Sequence, residues 1–285
     1  MAEFPRVSIL INNYNYDNFL RDSIESALGQ TYPNIEVVVV DDGSADNSRS
    51  VIAEYGDRII PVLKQNGGQG SAFNAGFAAS SGDIICFLDA DDYFSKDKVE
   101  KVVARWQTRP DAGWLFHGLE DVDQNGTHLR EAAHLDSGYF DFRAAMRTGG
   151  SVPALPATTG LCFRRAVLEK TLPMSEKIRI SADQFLRLSA TFFAPGILMP
   201  ESVAVHRIHG SNLFEARKDT AVLSADTNLQ TCHPQKPSSA ESETEDSRLL
   251  RMACLPTPWA SYWQEKVRVR CSHQKRSGIS KSIGP

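Results

Sequence analysis

Residues 84–92 read Ile84-Ile85-Cys86-Phe87-Leu88-Asp89-Ala90-Asp91-Asp92. Five apolar residues run without a break and then meet three carboxylates within four positions. The run is short and β-branched at its start, which predicts a strand buried on both faces. Strands of that kind belong to α/β sheets, and such sheets bind ligands just past the carboxyl ends of their strands. The acidic cluster falls at that end. Carboxylates packed this closely repel one another, and the usual offsets are solvent or a hard divalent cation, Mg²⁺ or Mn²⁺, that prefers oxygen ligands. Taken alone, the stretch reads equally well as an acidic turn in water.

Toward the amino terminus the same pattern repeats. Residues 7–11 form a short apolar strand that ends in Asn12-Asn13-Tyr14-Asn15. Asp17 is placed to cap a helix over residues 18–29, with Phe19, Leu20, Ile24, Ala27 and Leu28 on one face and Gly29 as its stop. A valine-rich strand over 35–40 ends at Asp41-Asp42-Gly43-Ser44, and Ser44 or Asp46 caps a helix to about residue 55. A strand over 58–63, a flexible turn at 66–70 and a small-residue helix over 71–80 lead into the opening strand. Strand and helix alternate at short intervals, which predicts a parallel sheet with right-handed crossovers. Three strands thus end in polar or acidic groups, and in a parallel sheet those groups converge on one edge. A nucleotide site needs such a convergence, although Asp41 to Ser44 also fits an ordinary turn and helix cap.

Beyond the acidic cluster, the spacing predicts an amphipathic helix over 96–108, a strand over 113–119, a hairpin turn at 123–126 and a loop at 149–153. A strand over 158–163, a short helix over 164–170, a helix beginning near 180 with Asp183 at its start, and a strand over 197–206 follow. From about residue 224 the hydrophobic period vanishes. Residues 223–285 are expected to be an irregular tail, either disordered or out of frame. The basic run Lys275-Arg276 in it fits a solvated terminus better than a contact with anionic lipid.

The chain has 285 residues, a formal net charge of −4 and five cysteines. There is no global basic bias, so nucleic acid is not the expected partner. The cysteines show no CxxC or zinc-like spacing, and Cys86 and Cys162 lie in apolar contexts as buried thiols. The chain enters a strand almost at once and has no apolar run of about 18 residues, so neither a signal peptide nor a membrane span is expected. A cytoplasmic setting follows, with peripheral contact at the inner face of a membrane left open. Oligomeric state is not readable.

Three groups of residues together resemble a known family. They are residues 7–15; residues 26–36 with Val39-Val40-Asp41-Asp42-Gly43-Ser44; and Asn66-Gly67-Gly68, Asn74-Ala75-Gly76 and Phe87-Leu88-Asp89-Ala90-Asp91-Asp92. In this order and spacing they look like glycosyltransferase family 2, with its GT-A fold, a Rossmann-like and mostly parallel sheet flanked by helices. The resemblance covers about residues 5–215. It implies a GT-A domain over 1–222, with a nucleotide-sugar half at 1–120 and an acceptor half at 121–222. It implies that Asn12 and Tyr14 line the base and ribose pocket, and that Asp42, with Asp41 beside it, hydrogen-bonds a base expected to be uracil. Asn74 belongs to the donor site. Asp89-Ala90-Asp91 corresponds to the DxD motif, with Asp91 on Mn²⁺ or Mg²⁺ and Asp89 near the ribose or sugar. Asp183 stands where the family carries its general base, and His209 matches a late His that closes over the diphosphate or metal. His117 and His206 are read as structural. Departures are Phe73 in place of a frequent Arg, Ala182 in place of a frequent Glu, and Lys96 in place of a usual Pro.

The expected function is inverting transfer of a sugar from a nucleotide-diphosphate donor, a UDP-sugar by expectation, to a saccharide or lipid-linked saccharide in polysaccharide or glycoconjugate assembly. The competing reading is a sugar-nucleotide-binding protein without catalysis. A dinucleotide oxidoreductase is disfavoured because no GxGxxG follows the first strand. A nucleotidyltransferase is disfavoured because no Gly-rich basic phosphate loop stands there.

Overall fold

Apolar runs too short for helices form the centre of the sheet. In the computed structural model, which describes residues 4–130, 135–148, 152–210 and 212, the first half alternates strand and helix as expected. The order is β1 (Val7–Asn13), α1 (Asp17–Leu28), β2 (Ile35–Asp41), α2 (Ser48–Ala53), β3 (Ile60–Leu63), α3 (Gln69–Ala79) and β4 (Ile84–Asp89). The second half comprises β5 (Tyr93–Phe94), α4 (Lys98–Gln107), β6 (Trp114–Asp123), β7 (His128–Arg130), β8 (Gly138–Phe140), α5 (Arg143–Arg147), β9 (Leu161–Arg164), α6 (Arg165–Leu168), α7 (Ala182–Phe193) and β10 (Gly196–Ile208).

The sheet runs β3-β2-β1-β4-β9-β6-β10-β5, with β7 on β6 and β8 on β10. The first four strands are mutually parallel. β9 enters antiparallel to both β4 and β6, so the sheet is mixed beyond β4. The division expected at residue 120 falls inside β6, and the two halves therefore share one sheet. All described residues belong to one compact unit, residues 1–212.

Register decides the position of the site. Asn12 lies opposite both Val40 and Asp89, and Asn13 lies opposite Asp41. The polar ends of β1, β2 and β4 are thus level at one edge. On one face of the sheet Ile9, Ile11, Val37, Val39, Cys86 and Leu88 pack against Leu20, Ile24 and Ala27 of α1 and against Val99, Val102 and Trp106 of α4. Leu20 and Ile24 are fully buried, and each contributes about 1.5–3 kcal/mol by leaving water.

The opposite edge is held by a buried carboxylate. Glu36 accepts hydrogen bonds from Ser8 Oγ, from the Ser81 and Gly82 N–H groups and from Ser81 Oγ, and it pairs with Arg6 at 2.9 Å. Burial would push its carboxyl up, but these donors outweigh burial and hold it below the ordinary glutamate value.

Local details differ from expectation. Asp17 is the first residue of α1 rather than its cap, which is Tyr16; the Asp17 carboxylate instead accepts the Asn47 N–H at 3.2 Å. α2 starts later than expected, with Asn47 as its cap residue, and Asp46 accepts the Ser48 N–H at 3.0 Å. Residues 158–160 form a tight turn rather than strand, because the hydroxyls of Thr158 and Thr159 are drawn to the acidic cluster. The hairpin at 123–126 forms as expected, joining β6 and β7. The tail at 223–285 and most of the loop at 149–153 lie outside the described residues.

Candidate active site

The acidic cluster at the end of β4 divides into inward and outward members. Asp92 is buried, accepting the Arg207 N–H at 2.8 Å and the Thr159 hydroxyl. The same hydroxyl oxygen accepts the Asp89 N–H at 3.2 Å. Asp92 therefore ties β4 to β10 and leaves the other two carboxylates for chemistry. Burial, followed by repulsion from Asp91 and Asp92, holds Asp89 well above the carboxylate range. Asp92 is raised as well, by burial and then by Asp91. Arg207 offsets part of this repulsion at Asp92.

Asp91 meets the end of β10. His209 Nε2 and Asp91 Oδ2 are 3.1 Å apart, and Asn212 Nδ2 donates to the same oxygen at 3.1 Å. Asn212 Oδ1 also accepts the His209 N–H, so Asn212 is bonded to both His209 and Asp91. The imidazole stacks on Phe19 at 4.6 Å and takes the edge of Tyr16 at 5.6 Å. Both rings come from the start of α1, which explains why a residue 118 positions away reaches Asp91. Arg207 fixes the approach, lying over Phe19 and Tyr93 and pairing with Asp22 at 3.0 Å.

At the ends of β1 and β2 the carboxylates serve the protein's own backbone. Asp41 is fully buried, with Asn13 Nδ2 on Oδ1 at 3.0 Å and Arg49 Nε and the Ser44 N–H on Oδ2 at 2.8 and 3.2 Å. Burial would raise it, but these donors outweigh burial and hold it below the usual range. Asp42 accepts the Gly67 and Gly68 N–H groups at 2.9 and 2.7 Å and Lys64 Nζ at 2.6 Å. It shapes the turn after β3 before it meets any ligand. Two glycines allow that turn to close. A Cβ at Gly43, where φ is +80°, would lie 2.5 Å from the Asn66 nitrogen, and one at Gly68, where φ is +86°, would lie 2.7 Å from Arg179 Cα.

Asn12 and Tyr14 differ from these carboxylates. Both amide atoms of the Asn12 side chain are buried without a hydrogen-bond partner, beside Asp89 in register. A buried amide without partners costs free energy that a ligand can return. Tyr14 is 41% exposed, with its ring free to lie on a flat ligand. Asn74 does not join them. Its Nδ2 donates to the Met174 carbonyl and its Oδ1 accepts the Met174 N–H, both at 2.8 Å. That amide fastens α3 to the acceptor half. Phe73 is fully buried with its ring 4.7 Å from Phe87, so position 73 here serves the core.

Asp183 arrives from the acceptor half. It lies in the first turn of α7, after Ser181 in a left-handed conformation with φ of 55°. Its carboxylate is the last and smallest of the charges that raise Asp89. Arg187 holds it at 3.1 Å while donating to the carbonyls of Leu155 and Pro156 at 2.7 and 2.9 Å. Gln69 Oε1 accepts the Ala182 N–H at 2.8 Å and positions the start of the helix. Of the histidines read as structural, His117 is fully buried against the Gly118 carbonyl and His206 pairs with Asp121 at 2.9 Å. The sequence reading missed Thr159, Asn212, Lys64 and Arg187. The only available signal was the threonine pair before β9 and an Arg one turn after Asp183.

The donor set suits a hard divalent ion in part. Among the described residues no group of three or more His, Cys, Asp and Glu side chains is placed to hold a metal. Asp91 and His209 converge at 3.1 Å. An ion bound through one or two protein ligands takes its remaining ligands from substrate phosphate and water, and this arrangement fits that mode.

Residues 8–172 match the family described as Glycosyl transferase family 2. The chain belongs to glycosyltransferase family 2. An uncharacterized glycosyltransferase of Nostoc sp. is 39% identical over 213 residues, covering 73% of this chain and 66% of its own. One from Rickettsia prowazekii is 46% identical over 205 residues, covering 70% and 64%. The chain thus spans no more than about two thirds of the length of these relatives. Among solved structures, S. aureus TarS 1-349 in complex with UDP-GlcNAc has a TM-score of 0.58 at 18% identity, covering 74% of this chain and 61% of that one. The UDP complex of the same protein has a TM-score of 0.55, covering 75% and 63%. The shared fold is GT-A. No helix among the described residues is long and apolar enough to cross a membrane.

Proposed function

We propose that this family 2 glycosyltransferase moves a sugar from a UDP-sugar to a hydroxyl of a saccharide or lipid-linked saccharide, with inversion at the anomeric carbon. The observation that carries the reading is the bridge made by Gln69, which accepts the Ala182 N–H at 2.8 Å and donates to Thr158 Oγ1 at 3.4 Å, so that the start of α7, with Asp183, adjoins the threonine pair that bonds the Asp89 N–H at the end of β4. A donor held at the acidic edge and an acceptor held by the second half then meet between two carboxylates.

Asn12 supplies an unpartnered donor and acceptor for the base or ribose, and Tyr14 supplies an exposed ring. Asp42 holds the Asn66–Gly68 turn that borders this pocket, leaving one lone pair of Oδ2 for a base N–H. Asp89 faces the ribose or the sugar. Asp91 and His209 would hold Mn²⁺ or Mg²⁺, which when bound stabilises negative charge on the departing diphosphate. Asp183 accepts the proton of the acceptor hydroxyl as that oxygen attacks from the face opposite the leaving group. Arg187 keeps Asp183 aimed while that proton moves. A single displacement inverts the centre, by the geometry that separates inverting from retaining glycoside hydrolysis. UDP-GlcNAc, bound by TarS, is the first donor to try.

The test is turnover across UDP-, GDP- and TDP-sugars with and without Mn²⁺, on wild type, Asp91→Ala and Asp183→Asn. Metal-dependent turnover of a UDP-sugar is expected. Loss of transfer in Asp183→Asn by roughly 10²–10⁴-fold fits a general base. Retained anomeric configuration by NMR, or turnover unaffected by Asp183→Asn, would refute the mechanism. Binding of the donor without turnover would favour a binding protein.

A further inference from the structure

Cys86 of β4 and Cys162 of β9 are register partners across an antiparallel ladder, and both are fully buried. Partners in such a ladder have Cα atoms about 4.5–5.5 Å apart, within the roughly 4.4–6.8 Å that a disulfide spans. A third group completes the cluster. Lys98, the first residue of α4, is fully buried, and its Nζ makes no hydrogen bond to the described residues. The ammonium lies 3.8 Å from the centroid of the Phe94 ring. A buried ammonium is costly unless an anion is near, and the groups that favour its charge are the two thiols. Burial would push the Cys86 thiol up, yet Cys162 and Lys98 outweigh burial and bring it down to about 6, while Cys162 is pushed up. His117 of β6, the other titratable side chain acting at Lys98, is held down to about 3, by burial first and then by Lys98, and so is neutral.

We propose that Cys86 and Cys162 are a peroxide-oxidised modification site, a buried dithiol in which Lys98 supplies the counter-charge for Cys86. The first step forms an S–O bond. Cys86 Sγ, as thiolate, attacks one oxygen of hydrogen peroxide, the O–O bond breaks, and the departing hydroxide takes a proton to become water. Cys86 is then a sulfenic acid, oxidised by two electrons. Cys162 Sγ attacks it, the S–O bond breaks, the S–S bond forms, and the hydroxide released leaves as water with the Cys162 proton. Two thiols and one peroxide give one disulfide and two waters. Because both thiols are fully buried, the oxidant the proposal names is small and neutral, hydrogen peroxide rather than a bulky charged disulfide. The crosslink would fasten β9 to β4 three residues before Asp89.

The experiment treats the full chain with hydrogen peroxide at pH 7, blocks remaining thiols, digests with trypsin without reductant and reads the products by mass spectrometry. Peptides 65–96 and 148–164 are expected joined, two hydrogens lighter than their sum and separated by dithiothreitol. The Cys162→Ser variant should stop at a sulfenic acid on Cys86 that dimedone captures. Lys98→Met should slow oxidation about thirtyfold at pH 7, the loss of thiolate when a thiol returns from about 6 to an ordinary value near 8.5. Three outcomes would overturn the proposal: crosslinks only among Cys232, Cys254 and Cys271, a 65–96 to 148–164 crosslink formed only in urea, or a folded Lys98→Met that oxidises at the wild-type rate. If Lys98→Met does not fold, the wild-type and Cys162→Ser products still decide.

Discussion

Asp42→Asn separates a residue that shapes the nucleotide edge from one that reads the nucleotide. In the wild type one carboxylate oxygen takes the Gly67 N–H and Lys64 Nζ, and the other takes the Gly68 N–H. Asparagine keeps one acceptor and turns the other into a donor. If the remaining oxygen stays with Gly67 and Lys64, the new NH₂ faces the Gly68 N–H, donor against donor. Losing that charge-assisted bond costs about 1.5–3 kcal/mol. The Lys64 side chain is 21% exposed, so solvent weakens the lost ion pair to about 1 kcal/mol. The sum is about 3 kcal/mol, or a drop in Tm of about 6–12 °C for a domain of this size. Thermal melting followed by circular dichroism, without nucleotide, measures it, and calorimetric titration with UDP measures binding alongside. A Tm within about 2 °C of wild type together with tenfold weaker UDP binding would refute the reasoning. Asp42 would then act on the base and not on the turn.

Three further outcomes follow from other parts of the molecule. Glu36 is held below its ordinary value, so its contribution to stability is fully present above the unfolded value of about 4.3 and is lost as pH falls through the folded value. Acid titration of urea midpoints should show that slope below about pH 4, and Glu36→Gln should remove it. Gly68→Ala should destabilise by at least ~1–3 kcal/mol, because the left-handed φ and the Arg179 backbone both oppose a Cβ; an unchanged urea midpoint would contradict this. Asn212→Ala should weaken Mn²⁺ binding in the presence of UDP by about tenfold or more, as loss of an orienting partner does, and electron paramagnetic resonance titration reads it directly.

The parallel half was legible because its strands carry their signal locally. Residues 7–13, 35–41 and 84–89 are apolar runs that stop at polar groups, and nothing distant is needed to end them. The antiparallel entry of β9 was not legible, since the direction of a four-residue strand depends on the partners it finds. Thr158 and Thr159 read as strand because they are β-branched, but their hydroxyls are claimed by carboxylates almost seventy residues away. Asn74 fits a family motif, yet its amide is spent on Met174, a contact one hundred residues distant in sequence. Lys98 falls inside the helix expected over 96–108, whose amphipathic spacing gives no sign that it is buried. The α4 residues Val99, Val102 and Trp106 share one core with Cys86 and Cys162, and no periodicity reports that Lys98 is drawn in beside them. Cys86 and Cys162 were recognisable as buried thiols, but their mutual register was not.

The bonds from Asn74 to Met174 and from Gln69 to Ala182 have a practical meaning for engineering. They act as sockets on α3 into which the chain plugs at residue 174, ahead of α7, and at residue 182, its first residue. Exchanging residues 174–193 for the equivalent piece of a relative, as a route to a new acceptor, is therefore a two-piece transplant. A recipient that keeps Gln69 and Asn74 receives the graft with Asp183 at its proper height. One that lacks either should accept the piece and misplace the carboxylate.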